Sequence, residues 1–180
     1  DRLPPITERK SAASENSAGY RLDPARRREV RNPFVPLLRS PELLDRAQAL
    51  GEFLRYRCSI PVRLREFAIL VTARRWHQPY EWLAHVQQAT DAGVSRETLE
   101  QLACADDPTA AAADERIIHA FVTQTHRHGE ADDGTYAAGL ELVGEQSVLE
   151  LLGICGYSAM LAMVLNVART ACADNSFPVP

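Results

Sequence analysis

From Pro41 onward, apolar residues recur at intervals of three and four, the period of a helix and not that of a strand. Start and stop signals divide this pattern. Ser40-Pro41-Glu42 is a helix opening, with a capping hydroxyl, proline at the first helical position and an acid near the positive end of the dipole. That helix is predicted to run to about Arg55. Pro61 opens a second, through Arg75, and Pro79 a third, to about Asp91, with Gly93 as its stop. Ser95 caps a short helix ending at Cys104, and Asp106-Asp107-Pro108 reads as a loop. A further helix is predicted over 110–128 with Gly129 after it. Another runs from Asp132 or Asp133 to about Val143, and the last from about Glu145 to Ala171. Ahead of these, residues 1–22 read as an irregular arm, and Asp23-Pro24 begins a short helix bearing Arg26, Arg27, Arg28 and Arg31, a solvated face. The pattern therefore predicts an all-α domain over 23–180 behind an arm at 1–22.

Two helices carry polar groups where the pattern asks for apolar ones. At about 100° per residue, Glu66 falls in one sector with Val62, Ile69, Leu70 and Ala73, while Arg65, Arg74 and Arg75 point elsewhere. A carboxylate framed by apolar groups needs a partner or a raised pKa. On the next helix, Glu81 and His85 share the face of Trp82, Val86, Ala89 and Ala92. Helices joined by a short connection pack as antiparallel neighbours, so Glu66 is expected to reach His85, with Glu81 beside it. Carboxylate, imidazole and carboxylate together suit proton transfer. On pattern alone, a satisfied structural network and a metal chelate remain open beside an acid/base site.

Composition narrows the function classes. The 180 residues carry a net charge of −4, the wrong sign for a generic nucleic-acid binder or a polybasic membrane anchor. The uncharged stretch Leu151–Ala168 contains Gly153, Gly156, Ser158 and Asn166, and reads as a central core helix or one buried in a subunit interface instead of a membrane span. Cys58, Cys104, Cys155 and Cys172 form no CxxC pair. With no leader-like apolar run, the expectation is reduced thiols in a cytoplasmic protein. His119, His126 and His128 read as a solvated helix end.

The segments Arg63-Leu64-Arg65-Glu66-Phe67-Ala68-Ile69-Leu70, Tyr80-Glu81-Trp82-Leu83-Ala84-His85 and Ala89-Thr90-Asp91-Ala92-Gly93-Val94-Ser95 together resemble the carboxymuconolactone decarboxylase family, which includes the alkylhydroperoxidase D-like proteins. Gly144-Glu145-Gln146 and Gly156–Ala162 look like the final helix of its longer members, so the resemblance spans roughly 35–170. It implies an alkylhydroperoxidase D-like helical bundle with a helical-hairpin core. It also implies a trimer or a multiple of one, with active sites near subunit contacts. The peroxidase branch carries CxxCxxxH; here Gln78 and Glu81 stand at the cysteine positions and His85 is kept. The family's proton-relay glutamate falls on Glu66, and the decarboxylase branch's glutamate four before the histidine falls on Glu81.

The reading is then a cofactor-free and metal-free acid/base enzyme of the lyase or decarboxylase type, acting on a small carboxylate or lactone. Glu66, Glu81 and His85 are the expected catalytic residues, and Tyr80, Trp82 and Arg63 the expected substrate contacts. The alternatives are a non-catalytic helical oligomer or an atypical alkylhydroperoxidase.

Overall fold

The computed structural model describes residues 33–104 and 107–170, so the arm, the Asp23 helix and Cys172 lie outside the described residues. A 3-10 turn, Val35–Arg39, not foreseen from the pattern, precedes six helices: α1 (Pro41–Tyr56), α2 (Val62–Arg75), α3 (Pro79–Asp91), α4 (Arg96–Cys104), α5 (Ala113–His128) and α6 (Asp133–Ala168). Among the described residues there is no strand, and the fold is all-α.

The proline-marked starts fall where the sequence puts them. Pro41 and Pro79 occupy the first turn of α1 and α3, and Pro61 is the residue before α2. Ser40 precedes α1 as expected, but its hydroxyl makes no capping bond, and Pro41 alone fixes the entry. Ser95 does cap α4, its Oγ accepting the Thr98 amide at 3.0 Å. The break predicted between Val143 and Glu145 is a kink within α6, centred on Gly144 at φ 81° and ψ 166°. A side chain there would be strained, so glycine permits the bend.

The central element is α2, so of the two readings of the apolar 151–168 helix, a central core helix or one buried in a subunit interface, the first does not hold along its whole length. Leu64 to Ala68 and Leu70 to Ala73 are all buried, and α2 packs against α3, α5 and α6. By contrast α6, which is long and apolar enough to cross a membrane, has half of its most apolar window buried inside the chain. Leu149, Leu152, Met163 and Val167 along it are exposed. The main core gathers α2 to α6 around Phe67, Leu70, Trp82, Leu99, Ile118, Phe121 and Leu151. A smaller one, Leu37, Leu44, Ala47 and Leu161, docks the 3-10 turn and α1 on α6.

Candidate functional site

The α2–α3 hairpin brings Glu66 and His85 together, as the two helical periods predict. Glu66 Oε2 and His85 Nδ1 lie 2.6 Å apart. The other oxygen, Oε1, accepts from Arg65 Nη2 at 3.0 Å and Nε at 3.2 Å. Arg65 is itself buried and donates through Nη1 to the Arg55 carbonyl at the end of α1, 2.5 Å away. Glu66 is only 1 % exposed. Burial alone would raise its pKa, but the hydrogen bond and charge of His85, joined by those of Arg65, outweigh it and hold the carboxyl below its ordinary range. Glu66 is therefore the ionised member, and it accepts the Nδ1 proton of His85. In the neutral ring that leaves Nε2 as an acceptor. The His85 side chain is 16 % exposed, so one edge of the ring reaches the surface.

Glu81 has the opposite character. It is 3 % exposed, and burial pushes its pKa up against the pull of His85. Its coupling to His85 is through charge. Glu66 thus reaches His85 by a hydrogen bond and Glu81 lies alongside.

Two partners were not foreseen. Arg65 was placed away from Glu66 on the helical wheel, yet its side chain folds back onto it. From α6, Tyr157 approaches Glu81: burial, then the Glu81 charge, raise its phenol pKa. Tyr157 lies against Gly51 of α1, where an added Cβ would sit 2.8 Å from Tyr157 Cζ and closer still to the hydroxyl. Gly51→Ala is therefore expected to push the phenol away from α1. Overpacking of this kind costs about 1–3 kcal/mol. Urea unfolding of the variant checks it, and wild-type stability would show that the ring has room to move.

The expected substrate contacts fare differently. Trp82 is 0 % exposed and is a core residue, not a pocket wall. Arg63 bridges to Asp114 and, at 2.5 Å, to Glu115, tying the start of α2 to the start of α5. Tyr80 is half-buried near the N-terminus of α3. Among the described residues, neither the cavity lined mainly by α2 with α5 nor that lined by α5 with α6 includes Glu66, Glu81 or His85.

Gln78, which the resemblance sets at a cysteine position, has a structural task. Its Oε1 accepts the Tyr80 amide at 2.7 Å, capping α3, and its Nε2 donates to Asn166 of α6 at 2.7 Å. Cys58 donates to the Leu54 carbonyl at 2.9 Å. Cys155 is buried, and burial pushes its thiol up to about 12.

Residues 41–122 match the sequence model of the carboxymuconolactone decarboxylase family. That span runs from α1 into α5 and contains Glu66, Glu81 and His85; the Gly144–Ala162 segment lies beyond it. Comparison with curated proteins gives no match.

Proposed function

Taking this chain as a member of the carboxymuconolactone decarboxylase family, we propose that it is a cofactor-free acid/base enzyme of the lyase or decarboxylase type. The observation that carries the reading is the opposed state of the two carboxyls flanking one imidazole. His85 and Arg65 hold the Glu66 carboxyl below its ordinary pKa range, whereas burial pushes that of Glu81 above its own. Groups driven apart in this way divide into an orienting base and an acid. Gln78 and Glu81 cannot form a disulfide, so the dithiol cycle of the peroxidase branch has no place on α3.

In the reaction, a small lactone acid meets the open edge of His85. Its carboxylate leaves as carbon dioxide, and the bonding pair moves into the lactone as an enolate. A proton from Glu81 or from imidazolium His85 then quenches the carbon, and solvent restores the acid. Glu66 fixes the ring's tautomer and balances its charge. The test is a spectrophotometric and carbon dioxide-release screen of unsaturated lactone acids. Turnover in the wild-type protein that disappears with His85→Ala supports the reading, and turnover unaffected by that substitution refutes it.

The same proposal includes assembly. The exposed Leu149, Leu152, Met163 and Val167 lie at helical spacing on α6, and contiguous apolar surface of this kind marks an interaction site. A second copy of the chain covers it, in a trimer or a multiple of one. Light scattering should give a mass of at least three chains; a 20.0 kDa particle at micromolar concentration would reject it.

A further inference from the structure

A cavity of about 300 Å³ lies between the C-terminal ends of α2 and α5, away from the Glu66–His85 pair. Among the described residues its walls carry Arg74, Arg75, His77, His119, His126 and Arg127 and no carboxylate. From Glu66 to Arg74 is eight residues along α2, about 12 Å at 1.5 Å per residue, so the two places are distinct.

Basic residues in a last helical turn ordinarily need no explanation, because they complement the helix dipole. Here two such turns converge on one concavity in a chain whose net charge is −4. The sequence reading of His119 and His126 as a solvated helix end is overturned: both line the cavity, and His126 is half-buried with its Nε2 3.1 Å from Thr72 Oγ1. The Thr72 hydroxyl donates to the Ala68 carbonyl, so its oxygen is left to accept the His126 Nε2 proton. Nδ1 is then the unprotonated nitrogen of the neutral ring. Burial, then the nearby Arg75 charge, lowers the His126 pKa, in keeping with the basic side chains that line the cavity.

His77 has a positive φ, 47°, because it closes α2: its amide bonds the Arg74 carbonyl at 3.1 Å and the Gln78 amide bonds the Ala73 carbonyl at 3.0 Å. This turn sets His77 at the cavity mouth, with Arg74 Nη1 3.4 Å from its Nδ1. A cation does not suit this place. Among the described residues no three His, Cys, Asp or Glu side chains gather as a metal would require, and the guanidinium groups would repel one.

We propose that this cavity is a second binding site, for a small organic anion bearing two or more negative charges. Phosphoryl oxygens or paired carboxylates both match guanidinium donors in geometry and charge, and a cavity of about 300 Å³ is at the lower end of the range for small-molecule pockets.

Calorimetric titration of the full chain with pyrophosphate and, separately, with citrate tests the site. At low ionic strength at least one should bind with a micromolar to sub-millimolar Kd, weakening as salt is raised. Tighter binding of pyrophosphate assigns a phosphoryl ligand, and tighter binding of citrate a polycarboxylate. Arg75→Gln combined with Arg127→Gln should weaken binding at least tenfold; both positions are exposed, and circular dichroism verifies the fold. His85→Ala should leave the titration unchanged. Absence of binding by both anions at millimolar concentration overturns the proposal. Unaltered affinity in the double variant, or loss of binding in His85→Ala, overturns it equally.

Discussion

Glu66→Gln should lower lactone-acid turnover by about 10²–10⁴-fold, the range that a positioned acid or base contributes, while the protein remains folded. The argument is one of donor bookkeeping. Arg65 presents two N–H groups to Oε1 of residue 66, at 3.0 and 3.2 Å. A glutamine would therefore keep its amide oxygen toward Arg65 and turn its NH2 toward His85 Nδ1. That nitrogen must then accept, so the neutral ring's proton moves to Nε2, and the imidazolium that donates to the carbon loses the carboxylate that balances its charge. The volume barely changes, but the tautomer is inverted. His85→Ala removes the ring and should cost a similar factor, and the double variant should be little worse than either single one, because the two residues act as a unit. Steady-state kinetics of the three variants decide the matter. Glu66→Gln within twofold of wild type would mean that the tautomer is irrelevant and the pair structural.

Much of this pair was legible in the sequence because helical period is a strong local signal. Pro61 and Pro79 fix where α2 and α3 begin, and about 100° per residue then sets which way Glu66 and His85 face. What was not legible depends on reach and on tertiary neighbours. Arg65 sits off the Glu66 face on a wheel, but α2 is buried nearly all round, and a long side chain at that position turns along the helix to the nearest carboxylate and to the Arg55 carbonyl. Arginines at both ends dilute the apolar pattern of α2, so the uncharged 151–168 stretch looked more central than it is.

Arg63 illustrates the same limit. Its partners Asp114 and Glu115 are more than fifty residues away, at the start of α5. Only the packing of α5 on α2 brings them within reach, and no local pattern encodes that packing. His119 and His126 were misjudged for the same reason: the end of α5 faces the end of α2 instead of solvent. Trp82 was placed on the inward face correctly, but inward here means the sealed core and not a cavity wall.

Stability should respond to Glu66 and Glu81 with opposite signs. The Glu66 carboxyl has a folded pKa below its ordinary value, so it contributes stability that is present above the unfolded value and is lost as pH falls through the folded one. Glu81 has a folded pKa above its ordinary value. Its burial is then neutral in acid and becomes destabilising as pH rises from the unfolded value towards the folded one. Two substitutions separate these effects. Glu66→Ala leaves the buried Arg65 guanidinium without its counter-charge, and breaking a buried pair in this way costs about 3–5 kcal/mol near neutral pH; the deficit should narrow in acid, where the wild-type carboxylate loses its own advantage. Glu81→Gln should instead be more stable than wild type near neutral pH, because the amide carries no ionisation penalty, and the gain should vanish once the wild-type carboxyl is protonated in both states. Urea unfolding below the ordinary carboxylate pKa and at slightly alkaline pH measures both. A Glu81→Gln variant that is less stable than wild type at the higher pH would show that Glu81 is an ionised, paired carboxylate. The division of labour between the two carboxyls would then fail, and with it the assignment of Glu81 as the proton donor.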